Sequence, residues 1–445
     1  MTTPICDFLT RYAENGALRL HTPGHKGQGS LGAEQYDLTE VMGADSLYDA
    51  AGIIRESEQN ASRLFGCHTF YSAEGSSLCI RAMLFLILQY AKEHGKKPLV
   101  LAGRNAHKSF LSGAALLNLD VEWLYGVGKS YLACDVTVEN LEQALLSMTE
   151  KPVAVYLTAP DYLGNVVNWR AMAECCHRHG VLLAADCAHG AYLKFLSPSR
   201  YPIDLGADLC CSSAHKTLSA LTGSAYLHIS YRAPSVLAEQ AKNALAMFGS
   251  TSPSYLILRS LDALNAELAE DYPARLDAFV HQVSRLRQTM ERQGYVFGEC
   301  EPLKLTIFTK SHGYLGTDFA HLLREKGIEC EFSDCDWVVL MLTPAIGADG
   351  LSRLADVLSD IPPRASIMEK SPRPTALPRV MSLRDAMLSP MECVSVDSAL
   401  GRVLAAPSVA CPPAVPIAIC GERLTAAALD AFAYYGIEQI WVVKE

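Results

Sequence analysis

An α/β fold built on a mostly parallel sheet is what this sequence predicts, and three observations predict it. Between about residue 66 and residue 230, short apolar runs alternate with helix-length segments, the pattern of strands joined by crossover helices. The helical segments stop at glycines. The polar residues gather directly after the apolar runs, where an open parallel sheet presents its carboxyl edge to ligands.

Taken in order, Pro98-Leu99-Val100-Leu101-Ala102, Val153-Ala154-Val155-Tyr156-Leu157, Val181-Leu182-Leu183-Ala184-Ala185 and Ala225-Tyr226-Leu227-His228-Ile229 read as buried strands. Each is almost continuously apolar, as a strand covered on both faces must be. The helices are Ser77 to His94, closed by Gly95, and Trp169 to His179, closed by Gly180; a glycine there accepts the left-handed backbone that ends a helix. Leu276, Phe279, Val280, Val283, Leu286 and Met290 then recur at helical spacing up to Gly294, predicting a long connector helix. Strand, helix and strand follow at Leu305-Thr306-Ile307-Phe308, Asp318 to Lys326, and Trp337 to Met341. Five prolines between Pro362 and Pro378 predict an extended linker. The expected organisation is an N-terminal arm over 1–65, a large domain over 66–296, a small α/β domain over 297–361, the linker over 362–378 and a C-terminal module over 379–445.

Composition narrows the function. With 445 residues, 50% of them hydrophobic, the chain can bury a large core. A net charge of −10 argues against nucleic acid as a partner. The start, Met1-Thr2-Thr3-Pro4, lacks the basic and apolar regions of a secretory signal, and the apolar stretch around Ala82 to Leu88 is too short to span a bilayer. The fifteen cysteines form no CxxC pair and have no histidine at metal-binding spacing, so reduced thiols in a cytoplasmic protein are expected, and no metal site.

The chemistry concentrates at the ends of the strands. Ser213-Ala214-His215-Lys216 closes the apolar run Ala207 to Ser212, and Lys216 follows Asp186, the end of another apolar run, by thirty residues. An amine that can hold an aldehyde as a Schiff base, together with a carboxylate that can keep a pyridine nitrogen protonated, is what pyridoxal 5'-phosphate (PLP) requires. Glu74-Gly75-Ser76-Ser77 opens a helix and offers hydroxyls and backbone donors to a phosphate; Ser213 can add another hydroxyl. His107, in Gly103-Arg104-Asn105-Ala106-His107-Lys108-Ser109, can lie flat on the ring. His189 follows in Asp186-Cys187-Ala188-His189-Gly190.

These residues resemble the Orn/Lys/Arg decarboxylases of the fold type I PLP enzymes, in their short bacterial form and over nearly the whole chain. The motifs are His21-Thr22-Pro23-Gly24-His25-Lys26-Gly27, Asp37-Leu38-Thr39-Glu40 with Asp45-Ser46-Leu47, Arg104 to Ser109, Asp186 to Gly190 and Ser213-Ala214-His215-Lys216-Thr217-Leu218. The resemblance implies an aspartate-aminotransferase-like large domain with smaller C-terminal α+β parts, and active sites shared across a homodimer or higher homo-oligomer. It implies that Lys216 carries PLP, Asp186 pairs with the ring nitrogen, His107 stacks on the ring, and Ser76, Ser77 and Ser213 hold the phosphate. The reaction it implies turns a basic amino acid (arginine, lysine or ornithine) into CO2 and a polyamine-type amine. His189, His215 and the freed Lys216 are the candidates for protonating the α-carbon. For the distal cationic group of the substrate, Glu331, Asp334, Glu422 or Asp45 from the partner subunit are candidates, with ordinary surface acids as the other reading. Another fold type I reaction, by an aminotransferase or lyase, and a non-catalytic homologue stay open. The chain departs from the family pattern at Cys187, where a glutamate is common, at Asp161, where a threonine is usual, at Ala73-Glu74 before the phosphate helix, and at Cys411-Pro412-Pro413-Ala414. Cofactor binding should survive these departures, which bear instead on substrate choice and rate.

Overall fold

The computed structural model of the protein describes residues 1–127, 131, 133–409 and 415–445. Two compact units divide the chain: residues 1–98 with 176–275, and residues 99–175 with 276–445. The seven principal strands are β1 (His68–Ser72), β2 (Leu99–Gly103), β3 (Asp120–Leu124), β4 (Ala154–Thr158), β5 (Leu182–Asp186), β6 (Leu209–Ser213) and β7 (Ala225–Ile229).

In the first unit the strands lie in the order β1-β7-β6-β5. β5 and β6 run parallel, with Asp186 in register with Cys211, while β7 is antiparallel to both β6 and β1. Every residue of β5, β6 and β7 is buried, which accounts for their unbroken apolar character. The Gly75–Glu93 helix packs on β6 and β7 and buries Leu78, Ala82, Met83 and Leu86 among other side chains. Polar side chains inside this unit are satisfied in chains. His228 on β7 bonds Thr69 Oγ1 of β1 through Nδ1 at 3.0 Å and Ser212 Oγ of β6 through Nε2 at 2.9 Å, and Ser212 in turn meets the Tyr201 hydroxyl at 2.9 Å. Burial pushes the His228 ring down to about 3, with the charge of Lys194 acting in the same direction, so it is a neutral imidazole joining three strands.

In the second unit β2 pairs in parallel with β3 and with β4. A separate antiparallel sheet is built from β8 (Lys304–Phe308), β9 (Phe332–Ser333) and β10 (Trp337–Met341), in the order β8-β10-β9. C-terminal to these, β11 (Met391–Ser395) pairs with β14 (Gln439–Val443), and the two-residue strands β12 (Ser408–Val409) and β13 (Ala418–Ile419) pair with each other. No helix or strand occupies 362–378. The expected connector helix spans Tyr272–Arg292, with Leu276, Phe279, Val283, Leu286 and Met290 buried. Of β1 to β7, two strands lie outside the sequence expectation, β1 and β3. Both close their unit's strand order on one side, and the exposed Asp120 and Glu122 break the apolar run that marks an interior strand.

Candidate active site

Seven of the eight site residues expected from sequence belong to the first unit. β6 ends at Ser213 and passes into a single helical turn, Ala214–Thr217, which carries His215 and Lys216. The Lys216 amine lies 2.9 Å from His189 Nε2, so the loop after β5 and the turn after β6 meet at that nitrogen. His215 is held differently: its Nδ1–H donates to the Ser224 carbonyl at 2.9 Å, which leaves Nε2 as its proton-exchanging atom. Asp186 closes β5 and is 1% exposed; its Oδ1 accepts from the Ala188 amide at 3.2 Å and from the Cys211 thiol at 3.5 Å. Burial and the neighbouring carboxylate drive that thiol upward, so Cys211 stays a protonated donor.

The helix expected to open at Ser77 begins two residues earlier, at Gly75. Gly75 has φ +70°, a left-handed backbone that glycine adopts without strain, and its amide bonds the Gly223 carbonyl at 2.7 Å. In this helix the N-cap residue, Glu74, makes no side-chain capping bond. Ser76 and Ser77 therefore sit in its first turn, and the Ser213 hydroxyl donates to Ser76 Oγ at 2.9 Å. An uncapped helix N-terminus with converging hydroxyls suits a phosphate. Glu74 does not spoil it, because its exposed carboxylate accepts the Ser250 amide at 2.6 Å. The amine, the buried carboxylate and the hydroxyl-lined helix end fit the aldehyde, ring nitrogen and phosphate of PLP.

His107 belongs to the second unit. It follows β2, is exposed, and caps the Lys108–Leu117 helix by accepting the Ser109 amide at Nδ1, 3.2 Å away. The departures from the family pattern have separate explanations. Cys187 is fully buried against Cys210 and Tyr201, where burial keeps its thiol protonated. Asp161 folds its own turn, accepting the amides of Leu163 and Asn165 at 3.0 and 2.9 Å; burial pushes its carboxyl up to about 6 against the pull of Asn165 and Lys304. Cys411 to Ala414 lie outside the described residues.

The four acids proposed for a distal cation are all engaged. Asp45 accepts the amides of Ser46, Ala51, Gly52 and Ile54 and so anchors the start of the Ile53–Phe65 helix; burial alone would raise its carboxyl, but the backbone donors outweigh it and hold it low. Glu331 accepts the Tyr162 hydroxyl at 2.6 Å. Asp334 is buried and accepts the amides of Asp336 and Trp337 at 2.7 Å, and Glu422 is buried against Arg104. Asp334 and Glu422 are thus interior groups, unlike the surface acids of the other reading. Neither Arg104 nor Cys211 carries a local signal of its role; both reveal themselves only through partners distant in the chain.

The fold and the site together define an α/β protein of the fold type I class. The family model for the major domain of the Orn/Lys/Arg decarboxylases matches residues 3–300, and the chain belongs to that family. It is 29% identical to the arginine decarboxylase of Bacillus subtilis (strain 168), a match covering 95% of this chain and 91% of that protein. With lysine decarboxylase LdcA of Pseudomonas aeruginosa it shares 25% identity over 67% of this chain and 45% of the longer relative. The structure of E. coli constitutive lysine decarboxylase superposes with a TM-score of 0.79 at 19% identity, covering all of this chain and 82% of that one. Among the described residues no helix is long and apolar enough to cross a membrane.

Proposed function

We propose that this protein is a PLP-dependent decarboxylase of a basic amino acid, arginine, lysine or ornithine, releasing CO2 and the corresponding amine. The observation that carries the reading is the cluster in the first unit: Lys216 Nζ 2.9 Å from His189 Nε2, Asp186 buried in register beside Cys211, and Ser213 bonded to Ser76 at an uncapped helix start. The relatives named as arginine and lysine decarboxylases support the substrate class.

In this reading Lys216 would hold the cofactor aldehyde, Asp186 its ring nitrogen, and Ser76, Ser77 and Ser213 its phosphate. His107 is assigned to the ring face by the family resemblance. When bound, PLP supplies the electron sink that takes up the electron pair left by departing CO2. The protein's own groups do the rest. A buried carboxylate stabilises a positive charge facing it far more than a solvated one would, because little water screens the pair. His189 can accept a proton from Lys216 Nζ or return one along their 2.9 Å hydrogen bond. His189, His215 through Nε2, and Lys216 remain the groups that can protonate the α-carbon. The proposed enzyme works in the cytoplasm as a homodimer or higher homo-oligomer, with an arm over 1–65, a large domain over 66–296, a small domain over 297–361, a linker over 362–378 and a C-terminal module over 379–445.

The test is to incubate the PLP-loaded protein separately with arginine, lysine and ornithine and to measure CO2 and amine, with Lys216→Ala alongside. Release from one or more of these substrates that vanishes in the variant is expected. A yellow protein that releases nothing from any of them would refute the decarboxylase reading.

A further inference from the structure

We propose that the C-terminal module positions His107, acting through the buried Glu422–Arg104 ion pair. The inference rests on the functional reading above, which gives His107 to the cofactor ring.

The chain from Arg104 to Leu124 carries His107 at the start of its helix, and the module grips it at three places. Ahead of the helix, Arg104 Nη1 and Nη2 donate to Glu422 Oε1 and Oε2 at 2.6 and 2.7 Å, with both side chains 3% exposed. At the far end of the helix, Arg384 Nη1 donates to the carbonyls of Ala115 and Leu116, each at 3.0 Å, among the last acceptors of the helix. On β3, Arg379 donates to the Val121 carbonyl and, at 2.9 Å, to Glu122.

The ion pair is fixed from both sides. Glu422 Oε2 also accepts the Ile419 amide at 2.9 Å, while the Arg104 guanidinium lies 5.5 Å from the ring centres of both Trp123 and Tyr125. The turn that delivers Glu422 requires a glycine: Gly421 has φ +87°, and an added Cβ would stand 2.5 Å from the Met381 carbonyl oxygen. On the other side the Arg104 amide donates to the Leu124 carbonyl at 3.0 Å, and Asn105 Nδ2 donates to the Thr158 carbonyl at 3.1 Å. These bonds seat the loop between β2 and His107 at the carboxyl ends of β3 and β4.

The chemistry of the pair separates positioning from stability. Two buried charges lose their hydration, which offsets much of their attraction, so such a pair is weak evidence for stability. What the fork-to-fork geometry adds is direction, because two parallel bonds fix orientation as well as distance. Arg104 lies three residues before His107, so its orientation passes directly to the histidine.

The test compares wild type, Glu422→Gln and the double variant Arg104→Gln/Glu422→Gln as holoenzymes, with Glu422→Asp as the conservative variant. Three readouts are used: amide hydrogen exchange over residues 103–117, the visible circular dichroism of bound cofactor, and kcat with KM. Glu422→Gln should raise exchange in that segment, weaken the dichroic band and lower kcat about tenfold with little change in KM, the scale of a small misplacement in an active site. Glu422→Asp should recover part of kcat. If the single variant does not fold, the double variant, which leaves no buried charge unpaired, should fold and still show the loss. Faster exchange with a wild-type band and kcat would make the pair merely structural and overturn the proposal, as would unchanged exchange. A wild type that shows no cofactor band would instead refute the functional reading, and the positioning role with it, whatever the exchange data showed.

Discussion

His228 gives the sharpest forecast about acid stability. The ring is enclosed in the first unit, with Thr69 Oγ1 and Ser212 Oγ on its two nitrogens, the Cys67 sulfur 3.5 Å from Nδ1 and the Phe65 ring centre 4.5 Å away. Burial depresses it to about 3 from an ordinary 6.5. Because the folded state binds the proton more weakly than the unfolded chain does, this histidine's contribution is complete above 6.5 and is lost as pH falls from there toward 3. At about 1.4 kcal/mol for each pH unit, lowering the pH from about 7.5 to about 5 should remove roughly 2 kcal/mol of folding stability through this residue alone. In His228→Gln the amide can still bond the two hydroxyls but cannot take up the proton. Urea unfolding of both proteins at the two pH values isolates the effect, since every other titrating group cancels in the difference. Wild type should lose about 2 kcal/mol more than the variant on acidification. Equal losses would mean that His228 is protonated inside the fold or reached by water, and the account of a neutral bridging imidazole would be wrong.

Two further outcomes follow from the site. His189→Gln removes the imidazole beside Lys216 Nζ, so kcat should fall about 10- to 100-fold and the acidic limb of its pH profile should move, while a wild-type profile would remove His189 from proton transfer. Glu74→Gln should change PLP affinity by less than about threefold, because the carboxylate is engaged with the Ser250 amide; a large gain in affinity on titration would show that Glu74 faces the phosphate.

What the sequence revealed and what it hid divide along physical lines. The interior strands were legible because a strand covered on both faces has no polar position to interrupt it, and β7 falls on its expected residues while β2, β4 and β5 begin one residue later. β3 was not, since Asp120 and Glu122 point to solvent. The Gly75–Glu93 helix starts two residues before its expected place because a left-handed glycine, rather than a serine cap, begins it. Among the site residues, those at strand ends stood out because polar groups directly after apolar runs are conspicuous. The Lys216–His189 contact was hidden, since it depends on how the loops after two parallel strands approach each other. The Arg104–Glu422 pair joins residues 318 positions apart, a separation that no local pattern can signal.

The first unit is assembled from two stretches, with residues 99–175 inserted between them. During synthesis the helix bearing Ser76 and Ser77 leaves the ribosome long before Asp186 and Lys216 exist. Its apolar face, destined for β6 and β7, must wait while the whole insert is made. In the proposed reading, cofactor capture would therefore be a late event in the life of the nascent chain, and a ribosome stalled within the insert would hold an exposed apolar helix whose partner strands do not yet exist.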